Sequence, residues 1–168
     1  GDPGVIFIDT INKHNPVPKL GKIESTDSCG EQPLLPYESC NLGSVNLSNM
    51  VQDGKINYDK LKKTTHSAIH FLDNVIDMCE YPLKENRKIV EKNRKIGLGV
   101  MGFADMFVKL EIPYDSEQGL KTAEETMKFI SNEAKRMSMN LAEERGAFPL
   151  WKKSIYNKKN KKIKLRNA

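Results

Sequence analysis

The chain has 168 residues, 27 Lys plus Arg against 22 Asp plus Glu, and 38% hydrophobic residues, a length for one ordinary domain or a piece of a larger one. No run approaches the roughly 18 consecutive apolar residues of a membrane helix and no charged-then-apolar leader opens the chain, so a soluble, cytoplasmic protein is expected. The net charge of +5 belongs to the tail: residues 151–168 hold seven lysines, one arginine and no acid, leaving 19 bases against 22 acids in residues 1–150.

In chain order, Val5, Ile8 and Ile11, with Phe7 between, predict a short helix over 4–13, ended by Asn15-Pro16; Pro16 and Pro18 then force an extended exit. Residues 19–38 have neither helical nor alternating periodicity, yet they hold Leu34-Leu35 among Gly21, Gly30, Pro33 and Pro36, which reads as a structured loop and not a linker. Leu42 to Leu47 predicts a short strand. Leu61, Thr65, Ala68, Leu72, Val75 and Cys79 then recur at steps of four and three, predicting a helix over about 58–80 that Pro82 stops, with Cys79 as a core thiol. His66 and His70 have a metal-capable spacing on that helix, but Ser67 stands where a zinc-protease motif has Glu, so both are read as surface or boundary residues.

A basic helical stretch from Lys84 to Lys95 leads into Ile96-Gly97-Leu98-Gly99-Val100-Met101-Gly102-Phe103-Ala104, which formally spells G-x-G-x-x-G. In a dinucleotide fold these glycines would follow a strand and open a helix. Here they lie inside the apolar run itself. A buried strand with close backbone approach, running into a helix at about 103–110, fits better. Asp115 with Gln118 resembles a capping box, and Leu120, Ala123, Met127, Ile130, Ala134, Met137 and Leu141 predict a helix over about 115–145, with Gly146 as its stop. In the tail, Lys158-Lys159-Asn160-Lys161-Lys162 could attract polyphosphate or nucleic acid; with no aromatic after Tyr156, a solvated loop is expected and nucleic acid is not.

Cys29, Cys40 and Cys79 are odd in number, form no C-x-x-C pair and have no histidine nearby, so neither a disulfide-stapled fold nor a metal site is expected. The loop reads Ser25-Thr26-Asp27-Ser28-Cys29-Gly30-Glu31-Gln32-Pro33-Leu34-Leu35-Pro36-Tyr37-Glu38-Ser39-Cys40. A thiol and a carboxylate two residues apart, stiffened by two prolines, can be aimed at one small substrate, and a second thiol follows eleven residues on. This is a candidate redox site.

The stretch from Cys29 to Ser44, followed by Arg94-Lys-Ile-Gly-Leu-Gly-Val-Met-Gly-Phe-Ala-Asp105, resembles the catalytic subunit of ribonucleotide reductase in its adenosylcobalamin-dependent class II form, and the resemblance runs from Asp2 to Ala168. It implies an α/β fold: part of a ten-stranded barrel of the ribonucleotide reductase and glycyl-radical kind, helix-rich in this segment and not a complete independent domain, with residues of about 19–40 as a central finger. It further implies that Cys29 becomes a thiyl radical that takes the 3′ hydrogen of a ribonucleotide. Glu31 would be the base on the 3′ hydroxyl, and Cys40 one of two thiols that reduce the 2′ carbon. Asp27, Ser28, Cys29, Gly30 and Glu31 would bind substrate.

The cofactor implied is adenosylcobalamin, held mostly outside this chain; the partners implied are the remainder of the subunit, a thioredoxin- or glutaredoxin-type reductant and a second copy in a homodimer. Asp27 stands where the family usually has Asn, and an ionised carboxylate accepts hydrogen bonds but cannot donate them. Ser28 stands where proline is common. Two other readings stay open: an inert remnant, or a nucleotide- or nucleic-acid-binding module using the basic tail. A reductase whose radical comes from a separate iron or manganese protein fits less well, because such sequences space the two thiols further apart.

Overall fold

The computed structural model describes residues 4–158 and 161–168; residues 1–3, where the resemblance starts, and Lys159 and Asn160 of the basic run lie outside it. Helix α1 (Ile8–Lys13) starts later than the apolar spacing predicts, because Val5 and Phe7 meet no partner surface and stay 83% and 75% exposed. The finger region is more than a loop: β1 (Ser25–Thr26) and β2 (Pro33–Leu34) pair antiparallel within it. The strand expected at 42–47 is β3 (Leu42–Asn46), followed by a 3-10 turn at Leu47–Met50 and a small hairpin of β4 (Val51–Gln52) and β5 (Lys55–Ile56). Then come α2 (Tyr58–Met78), α3 (Lys84–Asn93), β6 (Gly97–Met101), α4 (Phe103–Lys109) and α5 (Glu117–Arg145). A 3-10 turn at Trp151–Lys153 leads to β7 (Asn157–Lys158) and β8 (Lys161–Lys162), which pair across the basic run.

The centre is the parallel pair β3 and β6, in register from Leu42 opposite Gly97 to Asn46 opposite Met101, with α2 and α3 as the crossover. The described strands form two-stranded sheets only, and they close no barrel. The glycine-rich strand is therefore not buried as expected: one side of β6 is open, and Gly99 and Met101 are exposed. Its other side meets a core of Val45, Leu47, Met50, Leu61, Met106, Phe107 and Ile130. A second core, Val17, Ile23, Leu35, Phe148 and Leu165, brings both ends of the chain under the base of the finger.

Helix α2 starts where Asn57 accepts a hydrogen bond from the Lys60 amide at 2.9 Å, and it buries Leu61, Thr65, Ile69, Leu72, Asp73 and Ile76. Cys79 is not a core thiol: the helix ends at Met78, Cys79 turns to extended backbone, and its side chain is exposed. Ser116, not Asp115, caps α5, its hydroxyl accepting from the Gly119 amide at 3.0 Å. The buried face of α5 matches the predicted stripe in part. Ile130 and Leu141 are buried as predicted, Leu120 and Met127 are exposed, and Thr126, Glu133, Ser138 and Ala142 are buried beside them. The cause is polar: Glu133 pairs with His66 at 2.8 Å, and Ser138 donates to Asn167 at 3.0 Å. His70 accepts from Arg145 at 2.7 Å, since a guanidinium can only donate, so both histidines bridge α2 and α5.

Asp73 is fully buried at the junction of these elements. Its carboxylate accepts from Arg94 Nε at 2.9 Å, Arg166 Nε at 3.2 Å and Asn167 Nδ2 at 2.9 Å, with Arg145 Nη1 at 3.5 Å. Arg94, in left-handed backbone at φ 51°, also grips Asp77 with both terminal nitrogens at 2.7 and 2.9 Å. The C-terminal residues are thereby fastened to α2, α5 and the start of β6.

Candidate active site

The finger is anchored at its base and closed at its tip. Asn12 pairs with Ile23 as a neighbouring strand would, accepting from its amide at 2.8 Å and donating to its carbonyl at 2.9 Å. On the other arm, Leu35 to Glu38 form a turn closed by the Glu38 amide on the Leu35 carbonyl at 2.9 Å, with Tyr37 at φ 61°. The Glu38 carboxylate accepts from the Leu35 amide at 2.8 Å, from Asn93 at 2.8 Å and from the Lys95 ammonium at 2.5 Å. These charges are buried and mutually satisfied, the condition under which a protein interior tolerates them.

At the tip, the Asp27 amide donates to the Gln32 carbonyl at 3.0 Å and the Gly30 amide to the Asp27 carbonyl at 3.2 Å, with Gly30 at φ 87°, a conformation glycine adopts without cost. The Gln32 amide donates to Asp27 Oδ1 at 2.8 Å. That last bond, chiefly, holds the Asp27 carboxyl below the usual carboxylate range. Ser28, Cys29, Gly30 and Glu31 stand exposed on the closed tip, with Ser28 Oγ 4.0 Å from Cys29 Sγ.

Of the predicted site residues, Asp27, Ser28, Cys29, Gly30 and Glu31 thus share one tip. Cys40 is apart from it, half-buried on the segment entering β3. Burial pushes the Cys40 thiol above its ordinary range, and the negative charges of Asp27 and Glu31 push it further, which brings the tip carboxylates within electrostatic reach of this sulfur. Glu31 and Gln32, with residues 42–44 of β3 and 97–100 of the β6 strand, wall a cavity of about 360 Å³. A carboxylate that can take a proton from a hydroxyl, Glu31, is so presented to one substrate-sized space, and the Cys29 thiol is exposed on the same tip two residues before it.

Three contributors were not singled out from sequence: Gln32, which closes the tip, and Glu38 and Lys95, which clamp the base. Gly97 admits the Gln32 side chain, the close approach expected of these glycines, since a Cβ there would lie 2.5 Å from Gln32 Nε2. The glycines of G-x-G-x-x-G therefore serve packing: Gly97 makes room for the finger, and Gly102, at φ 65°, turns β6 into α4. Among the described residues, no group of three or more His, Cys, Asp or Glu side chains is placed to hold a metal ion, and no helix is long and apolar enough to cross a membrane.

The sequence model of the family described as "Ribonucleotide reductase, barrel domain" matches residues 1–167. The chain is 56% identical over 168 residues to a "Vitamin B12-dependent ribonucleoside-diphosphate reductase" of Thermoplasma acidophilum, covering 99% of this chain and 22% of that protein. It is 52% identical over 156 residues to the protein of the same name in Mycobacterium tuberculosis, covering 93% of this chain and 22% of the relative. A "Ribonucleoside-diphosphate reductase subunit alpha" of Chlamydia muridarum is 37% identical over 162 residues, covering 94% of this chain and 16% of that one. The chain spans about a fifth of the length of these curated relatives.

Proposed function

The chain belongs to the ribonucleotide reductase barrel-domain family, and from that premise we propose that it is the central catalytic segment of a vitamin B12-dependent reductase that converts ribonucleoside diphosphates to 2′-deoxyribonucleotides. The observation that carries this reading is the closed finger tip, which carries Cys29 and Glu31 two residues apart and places Glu31 and Gln32 in the wall of the cavity between finger and sheet. In this reading β3 and β6 are two strands of a ten-stranded barrel, and the finger runs through its middle.

Cys29, as a thiyl radical, removes the 3′ hydrogen of the ribose while Glu31 takes the proton of the 3′ hydroxyl. The 2′ carbon–oxygen bond then breaks, the hydroxyl leaves as water with a proton from one thiol, and a thiol hydrogen replaces it at the 2′ carbon. Glu31 returns its proton to the 3′ oxygen and Cys29 returns the hydrogen to the 3′ carbon, which restores the thiyl radical. The two electrons come from two thiols, Cys40 and one outside this segment, which end as a disulfide. A thioredoxin- or glutaredoxin-type dithiol resets that pair, and the complete subunit works as a homodimer. The raised Cys40 pKa suits this role, because the thiol keeps its hydrogen at neutral pH until the sugar needs it.

Adenosylcobalamin, when bound, supplies the radical that takes the hydrogen of a thiol. The feature that fits it is the exposure of Cys29, which leaves this sulfur open to a group carried by the rest of the subunit. The segment's own task is to hold the tip rigid and, once enclosed, dry, since water and stray hydrogen donors quench a radical. In the full-length reductase carrying this segment, Cys29→Ser is expected to reduce deoxynucleotide formation to background. Turnover retained in Cys29→Ser refutes the assignment.

A further inference from the structure

We infer that Lys95 is a positioning residue for the finger: its ammonium ties the strand returning from the tip to the turn that leads into Cys40, and so sets where the two thiols stand. The inference deepens the reductase reading and rests on it. Lys95 lies between α3 and β6, off the finger and 55 or more residues away from it in sequence, yet it is only 7% exposed. Its Nζ makes one bond to each part of the returning arm: to the Pro33 carbonyl of β2 at 3.1 Å and to Glu38 Oε2 at 2.5 Å. The same Glu38 oxygen takes the Leu35 amide, and its other oxygen takes Asn93, so the turn, the helix end and the strand end meet on one carboxylate.

The charge has a second consequence. Glu38, Asp27 and Glu31 all bear negatively on the Cys40 thiol, and Lys95 is the cation set against them. No apolar side chain could replace it, because the Pro33 carbonyl would lose this donor and the Glu38 carboxylate, though still bonded by Leu35 and Asn93, would keep its buried charge without the ammonium. Arginine could serve, having several donors for the same two acceptors.

The test is amide hydrogen exchange, without substrate, on the full-length reductase carrying this segment, paired with its steady-state kinetics. In Lys95→Met, the amides of Asp27, Gly30, Gln32 and Leu35 are expected to exchange at least about tenfold faster, with the amides of α5 unchanged. In the full-length enzyme kcat is expected to fall by up to about 100-fold with KM little changed, as a misplaced reacting group gives. Lys95→Arg should restore both. Should Lys95→Met fail to fold, the double variant Lys95→Met/Glu38→Gln removes the lone buried charge and is expected to show the same loosened finger. Finger exchange unchanged in either variant overturns the inference, as does a loosened finger with unchanged kcat. A parent enzyme that makes no deoxynucleotide overturns the reductase reading alone, because the exchange pattern is read without substrate.

Discussion

Asp27 uses the oxygen that closes the finger tip, accepting from the Gln32 amide, and an asparagine oxygen can accept the same bond. Asp27→Asn therefore keeps the tip and adds two donors toward the substrate. The kcat/KM for ribonucleotide should rise roughly 2- to 10-fold, a hydrogen bond's worth; an unchanged value shows that no donor is needed there. Glu31→Gln should lower kcat by roughly 10²- to 10⁴-fold, the usual weight of a general base. Gly97→Ala tests the contact between finger and sheet. The added methyl displaces both the half-exposed Leu42 side chain and Gln32, so kcat should drop while the melting temperature moves little; the reverse pattern would make Gly97 a stability residue only. At this scale the loop residues were legible, because the finger is one continuous stretch of sequence. Gln32, Glu38 and Lys95 were not: Lys95 meets Glu38 from 57 residues away, and nothing local marks either as a partner.

Among the elements, α2 was read almost to its ends, since its apolar steps and Pro82 bound it on both sides. Helix α5 was found with part of its buried face: Ile130 and Leu141 are buried as the stripe predicts, and Leu120 and Met127 are not. Hydrophobic periodicity favoured Leu120 and Met127, whereas the buried face follows Glu133 and Ser138, whose partners His66 and Asn167 lie on other elements. Cys79 was misjudged by a single residue of helix length. Between α2 and the start of β6, the Arg94 guanidinium holds the Asp77 carboxyl below the usual carboxylate range. A carboxyl with a folded pKa below its unfolded value of about 3.9 adds stability that is complete above that value and is lost as pH falls through the folded one. Urea midpoints of the parent and Asp77→Asn should thus differ modestly at pH 7 and converge in acid; a constant difference contradicts the pairing.

Across the whole molecule, two cores and one buried charge cluster join parts of the chain that are far apart in sequence. Asp73 gathers Arg94, Arg145, Arg166 and Asn167. Asp73→Ala removes the carboxylate that Arg94, Arg145, Arg166 and Asn167 share, leaving Arg94 only its Asp77 pairing, and should cost about 3–5 kcal/mol, seen as a lower urea midpoint and faster exchange at the C-terminal segment. The open edges of the β3 and β6 pair explain why the barrel could be expected from resemblance but not seen in these residues alone: two strands cannot close a sheet on itself. For the same reason, the 168-residue chain alone should turn over no ribonucleotide. The most direct test uses ribonucleotide tritiated at the 3′ carbon in the full-length reductase with its cofactor. Cleavage of the 3′ carbon–hydrogen bond, followed as tritium released to water, should persist in Cys40→Ala and vanish in Cys29→Ala. Release that continues in Cys29→Ala would mean that another group takes the hydrogen and that the finger tip is not the radical site.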